Sequence, residues 1–152
     1  MRLDIREATK GDLPDVLALY AQPGMNDDRV VDLSQAQAIH AQFARYPNYR
    51  LFVACSTDVP TRLLGSYALL VMHNLAHMGA PSAIVEDVVV DAAHRGQGIG
   101  RQLMAHAVAL AREAGCYKLA VSSNRKREHA HAFYESLGFE RHGYSFVIET
   151  LP

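Results

Sequence analysis

The chain has 152 residues, about the size of one domain, and its 49% hydrophobic and 20% charged residues are typical of a folded globular protein. These fractions exclude an intrinsically disordered chain. The net charge of −1 gives no basic surplus for non-specific nucleic-acid binding, and no apolar stretch approaches the roughly 20 residues that span a bilayer. We therefore expect a single domain over 1–152, without a nucleic-acid or membrane partner.

The N-terminus and the cysteines favour a cytoplasmic location. Met1 is followed by charged residues instead of a basic stretch and an apolar run, so no signal peptide is expected. Cys55 and Cys116 are too few for a disulfide scaffold, and reduced thiols fit a reducing compartment. The sequence therefore predicts a cytoplasmic protein.

The first third of the chain predicts one strand and two helices. An alternating apolar and charged segment indicates the strand, and apolar residues at helical spacing between capping and breaking residues indicate the helices. The predicted elements are a strand over 2–8, a helix from Asp12 to Pro23, a loop over 26–29 and a helix that begins at Asp32 or Ser34 and ends before Pro47.

The remainder predicts more strands than helices. Val88, Val89 and Val90 are typical of a strand in the middle of a sheet. The fourth helix is expected to begin at an Asn124 cap and to end at Gly138. The predicted elements are strands over 49–55, 62–73, 83–90, 117–121 and 139–148, a loop over 73–81, and helices from the 94–100 loop to Gly115 and over 125–137.

The order of these elements predicts an α/β or α+β fold. The strand, helix and strand between residues 83 and 121 favour a parallel crossover, whereas the earlier hairpins are antiparallel. We expect a mixed central sheet of about six to seven strands flanked by four helices.

A glycine-rich loop after the valine strand is the strongest chemical signal. Glycines let successive backbone N–H groups converge on one anion, and the N-terminus of the following helix adds a favourable dipole. The spacing fits neither the Gly-x-Gly-x-x-Gly of dinucleotide folds nor the Gly-Lys-Ser/Thr ending of nucleotide triphosphatases. A pyrophosphate site is therefore expected over Arg95, Gly96, Gln97, Gly98, Ile99, Gly100 and Arg101.

Two spaced motifs resemble the GNAT superfamily of N-acetyltransferases. The first is Arg95-x-x-Gly98-x-Gly100 after a valine-rich strand. The second is Asn124 followed by Ala130-x-x-Phe133-Tyr134-x-x-x-Gly138-Phe139. The resemblance is strong over 83–140, and the order of predicted elements matches the family over almost the whole chain. It implies a GNAT-like acyl-CoA N-acyltransferase fold, acetyl-CoA as cosubstrate and a homodimer.

The resemblance also implies how the cosubstrate binds. The pantetheine arm is expected beside the backbone of Val88, Val89 and Val90, where a free N–H near Val89 would polarise the thioester carbonyl. The pyrophosphate is expected on the glycine-rich loop. Asn124 is expected to contact the cosubstrate, to cap its helix, or both.

Acetyl transfer needs a base for the amine and a proton for the departing thiolate. Tyr134 is the candidate general acid, since the family places this tyrosine near the sulfur of CoA. The alternative is that it only packs on the apolar face of its helix. Glu86 is the candidate base, directly or through water, and Asp87 is the alternative. Both are candidates for binding the ammonium, and alternation along the strand predicts that Asp87 points to the opposite face.

Other charged residues have weaker functional interpretations. His131 matches small-amine enzymes of the family and is a candidate substrate contact. The basic run over 125–127 could bind a phosphate of CoA or an anionic group of the substrate, but a solvated helix face is the favoured explanation. His73 and His77 lack the helical context of a zinc site, so no metal is expected.

Two stretches of the sequence each resemble a different subgroup of the family. Glu86-Asp87-Val88-Val89-Val90 with Cys116-Tyr117-Lys118 is similar to glucosamine-phosphate N-acetyltransferases. The segment from Ser123 to Tyr134 is similar to aminoalkylphosphonate N-acetyltransferases. Both imply a small primary amine as the acceptor, attacked directly in a ternary complex. A protein or peptide N-acetyltransferase and a non-catalytic acyl-CoA sensor remain alternatives.

The net charge of −1 is the sum of an acidic N-terminal part and a basic C-terminal part. Residues 1–91 carry 7 basic and 11 acidic side chains, whereas residues 92–152 carry 8 basic and 5 acidic ones. A basic C-terminal part suits the phosphates of acetyl-CoA, and an acidic N-terminal part suits a cationic amine.

Overall fold

A computed structural model describes residues 1–25 and 29–152. The loop expected over 26–29 therefore lies, except for Arg29, outside the described residues. The chain divides into two compact units, residues 1–120 and 121–152.

Four helices and five strands are formed by the described residues. Short 3-10 turns over Lys10–Asp12, His77–Gly79 and Ala92–His94 connect some of them. In chain order the elements are β1 (Leu3–Glu7), α1 (Leu13–Tyr20), α2 (Leu33–Phe43), β2 (Tyr49–Ser56), β3 (Leu63–Met72), β4 (Ser82–Val90), α3 (Ile99–Glu113), β5 (Leu119–Val121) and α4 (Glu128–Ser136).

The strands form one mixed sheet in the order β1-β2-β3-β4-β5. The pairs β1–β2, β2–β3 and β3–β4 are antiparallel, so the predicted hairpin of β2 and β3 is confirmed. Ala83 N–H donates to Lys118 O at 3.0 Å and Tyr117 N–H donates to Pro81 O at 2.9 Å, so residue numbers rise together on both segments, as in a parallel pair. The valine strand β4 lies inside the sheet, as predicted.

The described residues form five strands instead of the expected six to seven. Residues 139–152, which include the predicted strand over 139–148, form neither helix nor strand. Tyr144, Phe146, Val147 and Ile148 are almost fully exposed. A strand needs a neighbour to pair its backbone N–H and C=O groups, and within the unit 121–152 this segment has none. The strand propensity of these residues was therefore not enough to predict a strand.

The sheet of the unit 1–120 carries helices on both faces. One face packs α1 and α2 against a core that includes Leu13, Val16, Val53 and Val89. The other face meets α3, where Tyr67 is completely buried and its hydroxyl lies 2.7 Å from Nδ1 of His106. Burial of apolar area on both faces supplies the main stabilisation of this unit.

Two predicted helix caps are wrong in detail. Asp12 precedes α1, but its carboxylate receives the Arg6 guanidinium at 2.7 and 2.9 Å and the Thr9 N–H at 2.7 Å instead of capping the helix. Asn124 does not cap α4, because its side chain accepts from Lys126 N–H at 2.9 Å in a tight turn. The fourth helix consequently begins at Glu128 instead of residue 125.

The helix ends agree better with prediction. Gly115 and Gly138 follow α3 and α4 with φ of +77° and +94°. After each glycine, a backbone N–H reaches back to the last turn: Cys116 to Ala111 O at 3.0 Å and Phe139 to Tyr134 O at 3.1 Å. These bonds form the Schellman motif that terminates helices. In the described part of the chain, no helix is long and apolar enough to cross a membrane.

Candidate active site

The predicted pyrophosphate loop leads directly into α3. Gly96 and Gly98 have φ of +77° and +81°, values that side chains with a Cβ rarely adopt. The N-terminal cap of α3 is Gly98, and no side chain caps the helix. The N–H groups of Ile99, Gly100 and Arg101 in the first turn therefore lack intrahelical partners and point away from the helix. This arrangement provides backbone donors for an anion.

The space in front of the loop is open. A Cβ added to Gly96 or Gly98 would meet no heavy atom within 4 Å, and Arg95 and Arg101 are exposed on either side. Backbone donors, a helix dipole and two guanidinium groups are the chemistry that binds a pyrophosphate. The loop therefore has the chemistry of a pyrophosphate site.

Close packing fixes the beginning of α3 on the sheet. Ile99 is buried, and a Cβ added to Gly65 of β3 would lie 2.9 Å from Leu103 Cδ1 and 3.0 Å from Val89 O. Only glycine leaves room for this contact. The glycine thus lets α3 pack closely on β3.

Gln22, which the sequence did not single out, holds the connection between β4 and the loop. Its amide donates to Val90 O at 3.2 Å and to Leu19 O at 2.9 Å, and its carbonyl oxygen accepts from Ala92 N–H at 2.6 Å. Asp91, between these backbone groups, accepts from His94 at 2.7 Å and Arg62 at 3.3 Å. The exit of β4 is therefore tied to the end of α1.

A β-bulge interrupts β4 at the predicted catalytic carboxylates. Glu86 is in register with Ala68 and Val89 with Ser66, so Asp87 and Val88 together oppose the single residue Tyr67. Asp87 has a φ of +52°. A bulge disrupts the ladder and re-aims side chains. Simple alternation of Glu86 and Asp87 therefore does not apply.

The charges of both carboxylates act on the same tyrosine. Burial raises the pKa of Tyr49, and the charges of Asp87 and Glu86 raise it further. The bulge removes the simple alternation from which Asp87 was expected to face away from Glu86, so that orientation stays a prediction. The bulge also places the disrupted part of the ladder at Asp87 and Val88, whereas Val89 keeps its register with Ser66.

A second tyrosine lies on the same side. Burial and the charge of Asp87 raise the pKa of Tyr20 strongly, and its hydroxyl lies beside that of Ser66. Ser66 is fully buried and donates to Phe52 O at 2.9 Å. Burial raises the pKa of Asp87 itself. Two phenols and two carboxylates thus form a polar group on the α1 side of the sheet, suited to bind an ammonium.

The unit 121–152 contains three other predicted residues. His131 Nε2 lies 2.7 Å from the carbonyl oxygen of Asn124, so these two candidates contact each other. Tyr134 lies on α4 between Phe133 and Phe139, with ring centroids 5.2 and 5.7 Å away. Burial raises the pKa of Tyr134, and the nearby charge of Arg127 opposes the rise. The phenol therefore keeps its proton at neutral pH.

One buried hydroxyl in this unit lacks a partner. Ser123 Oγ, next to Asn124 at the end of β5, is buried and makes no hydrogen bond among the described residues. A buried polar atom without a partner is costly, and a bound ligand is a common explanation. No cluster of three or more potential metal ligands occurs within residues 1–25 and 29–152.

Sequence reasoning found the charged candidates but missed their surroundings. Tyr20, Tyr49, Ser66 and Gln22 come from three segments distant from Glu86 in the sequence, and none of them belongs to a motif. Only the strand register brings Tyr49 and Ser66 near β4. Their roles depend on tertiary contacts and had no local signal.

Comparisons with known proteins agree with this geometry. The model of the acetyltransferase (GNAT) family matches residues 15–139. A glucosamine 6-phosphate N-acetyltransferase of Trypanosoma brucei brucei is 37% identical over 81 residues, which cover 53% of each chain. The chain spans about half the length of the glucosamine 6-phosphate relatives first matched.

Two further matches extend over more of the chain. An aminoglycoside N(6')-acetyltransferase type 1 of Stenotrophomonas maltophilia is 32% identical over 143 residues, covering 90% of this chain and 85% of that one. The crystal structure of an acetyltransferase of Trypanosoma brucei has a TM-score of 0.81 at 28% identity, covering 98% of this chain and 100% of that chain. These matches show the same fold over nearly the full length.

Proposed function

Because the chain belongs to the acetyltransferase (GNAT) family, we propose that it transfers the acetyl group of acetyl-CoA to the primary amine of a small molecule, by direct attack in a ternary complex. The observation that carries this proposal is the arrangement along β4: two carboxylates at a bulge, followed by an open cradle of backbone donors at the start of α3.

Bound acetyl-CoA supplies an activated thioester. The N–H groups of Ile99, Gly100 and Arg101, with those of the loop over 96–98, bind its pyrophosphate, and the guanidinium groups of Arg95 and Arg101 neutralise it. The backbone of Val88, Val89 and Val90 holds the pantetheine arm as an added strand would be held. Asn124 contacts the same arm, and the unpartnered Ser123 hydroxyl is available to it.

Glu86 removes a proton from the incoming ammonium, directly or through a water molecule, because only a neutral amine has a lone pair for the carbonyl carbon. Asp87 holds the ammonium before deprotonation, and His131 contacts the remainder of the acceptor. A backbone N–H released by the bulge donates to the oxygen that becomes negative during attack.

Tyr134 completes the transfer. When the new C–N bond has formed and the C–S bond breaks, the phenol of Tyr134 donates its proton to the departing thiolate. A phenol with an ordinary pKa near ~10 is close in acidity to a thiol, so the proton moves without a large energetic cost. The raised pKa of Tyr134 keeps the proton available.

The proposed acceptor is a small primary amine, and an amino sugar phosphate and an aminophosphonate are the two candidates to test first. The names of two relatives, a glucosamine 6-phosphate and an aminoglycoside N-acetyltransferase, support an amino sugar. The carboxylates of Glu86 and Asp87 support a cationic amine. We further propose a cytoplasmic homodimer that acts on no nucleic acid or membrane.

The test is thiol release from acetyl-CoA across amino sugars and their phosphates, aminophosphonates, polyamines, aminoglycosides and peptides. Turnover with a small amine supports the proposal. Turnover restricted to peptides would replace it with protein acetylation, and acetyl-CoA binding without any turnover would replace it with a sensor role.

The role of Tyr134 has its own test. Tyr134→Phe keeps the ring between Phe133 and Phe139 but removes the proton. We expect kcat to fall roughly 100-fold or more while the Kd for acetyl-CoA, measured by calorimetry, changes little. Unchanged kcat would leave Tyr134 with a packing role only.

A further inference from the structure

A cavity of about 420 Å³ lies where the end of β1, the end of α2 and the beginning of β2 meet. Its walls include Glu7, His40, Phe43, Tyr46, Asn48 and Tyr49. We name it the aromatic cavity. Neither the glycine-rich loop nor the carboxylates of β4 belong to it.

The aromatic cavity has a built wall of rings. The Phe43 ring stacks on Tyr49 with centroids 4.4 Å apart and planes at 21°, and Tyr46 approaches Tyr49 edge-on at 6.2 Å. Asn48 has a φ of +58°, which lets the chain turn sharply between α2 and β2. Tyr46 is 59% exposed, so part of its ring is available to another molecule.

Tyr49 connects this cavity to the carboxylates of β4. The strand register pairs Tyr49 with Leu70 and Leu70 with Ile84, which places Tyr49 on the same face of the sheet as Glu86, two residues further along β4. The charges of Glu86 and Asp87 both act on its phenol. One side chain therefore lines the cavity and lies near the proposed position of the reacting amine.

We propose that the aromatic cavity is the subsite for the ring of the acceptor, and that this ring is an amino sugar. The proposal rests on the proposed function, since it needs the reacting amine beside Glu86. A sugar ring carries C–H groups on its faces that pack against tyrosine rings, and hydroxyls that bond to polar side chains. Tyr46 supplies a ring face, and the Asn48 amide supplies an acceptor and a donor beside it.

This assignment distinguishes ring-bearing from ring-free amines. An amine without a ring reaches Glu86 but leaves the aromatic cavity empty, so it gains nothing from Tyr46. An amino sugar gains the packing energy, whether it is a free monosaccharide, a phosphorylated one or part of an aminoglycoside. The remote contact thus selects the acceptor without taking part in the transfer.

The experiment compares Tyr46→Ala with Tyr46→Phe, which keeps the ring. Acceptors are glucosamine, glucosamine 6-phosphate, kanamycin and, as the ring-free amine, 2-aminoethanol. For the amino sugars we expect Tyr46→Ala to raise KM about tenfold and Tyr46→Phe to change it less than about twofold. The KM for 2-aminoethanol and the Kd for acetyl-CoA should stay unchanged in both variants. The amino sugar that loses most identifies the source of the ring.

Two results would overturn the subsite: an unchanged KM for every amino sugar in Tyr46→Ala, or an equal loss for 2-aminoethanol. Binding is measured separately, by NMR of ring-labelled tyrosines during titration with glucosamine without acetyl-CoA. Shifts at Tyr46 and Tyr49 without any acetylation would retain the subsite and reject the proposed function. Absence of shifts, with acetylation intact, would reject the subsite alone.

Discussion

Two regions of the candidate site, one at each end of the segment from Glu86 to Arg101, use different chemical groups: backbone in one and side chains in the other. The proposed cofactor end, from Val90 to Arg101, is formed by backbone groups, with glycines that leave the space open. The proposed acceptor end, formed by Glu86, Asp87, Tyr20 and Tyr49, consists of side chains from three segments. Backbone recognition tolerates sequence change, whereas side-chain recognition changes with every substitution. The difference explains how one fold keeps its cosubstrate and varies its acceptor.

The strongest test of this comparison is at the acceptor end, with Glu86→Gln. If Glu86 is the base, kcat/KM for the amine should fall roughly 100-fold or more. The Kd for acetyl-CoA should not change, because the cofactor end is made of other groups. Steady-state kinetics and calorimetry measure both.

Asp87→Asn is the matched control for Glu86→Gln. Asparagine accepts the positive φ of residue 87, so the bulge survives the substitution. We expect a higher KM for the amine and a smaller loss of kcat than with Glu86→Gln. A larger loss of kcat in Asp87→Asn would transfer the role of base to Asp87.

The second test is at the cofactor end, with Gly65→Ala. The added Cβ would press on Val89 O and Leu103, so we expect the free energy of unfolding to fall by about 1–3 kcal/mol and the Kd for acetyl-CoA to rise. Gly11→Ala is the control, since its Cβ would meet only Thr9 Oγ1 at 3.7 Å. Denaturant unfolding and calorimetry provide the two readouts. Equal stability of both variants would show that α3 adjusts freely.

The same division separates what the sequence could predict from what it could not. The glycine-rich loop was predictable because backbone donors at a helix N-terminus depend on neighbouring residues only. The orientation of Asp87 was not, since the bulge depends on pairing with Tyr67, twenty positions earlier in the chain. Tyr49 reaches Glu86 only through the register of three strands.

Two errors in the last third have local and non-local causes. The start of α4 was misplaced because Asn124 can form either a helix cap or a tight turn, and the turn with Lys126 is the one that forms. The segment 139–148 has strand-forming residues, but strand formation requires a pairing partner, which composition does not reveal.

The third test, Gln22→Ala, concerns the segment that connects β4 to the glycine-rich loop. Loss of the bonds to Val90 O and Ala92 N–H loosens the exit of β4, so we expect the KM for acetyl-CoA to rise roughly three- to tenfold with little change in kcat. Gln22→Glu keeps an acceptor for Ala92 N–H but cannot donate to Val90 O. Its KM for acetyl-CoA should therefore lie between those of the unsubstituted protein and Gln22→Ala. A change in the amine KM alone would place Gln22 at the acceptor end.

The smallest expected effect is at the ion pair of Arg6 and Asp12, which anchors the beginning of α1, the helix that ends in Tyr20. The Arg6 guanidinium lowers the pKa of Asp12 from 3.8 to about 2. A carboxyl whose pKa is lower in the folded state stabilises the fold above its unfolded pKa and loses this contribution as the pH falls toward 2. Arg6 is 39% exposed, so solvent screening limits the pair to about 1 kcal/mol.

Asp12→Asn should therefore lower the free energy of unfolding by about 1 kcal/mol at pH 7, and the difference from the unsubstituted protein should shrink between pH 4 and about 2. Asp15→Asn, an exposed acid on α1, is the control and should change stability less. Urea unfolding at several pH values measures both. A difference that persists at pH 2 would mean that the ionised carboxylate paired with Arg6 is not what makes Asp12 stabilising, since asparagine can still accept from Thr9 N–H.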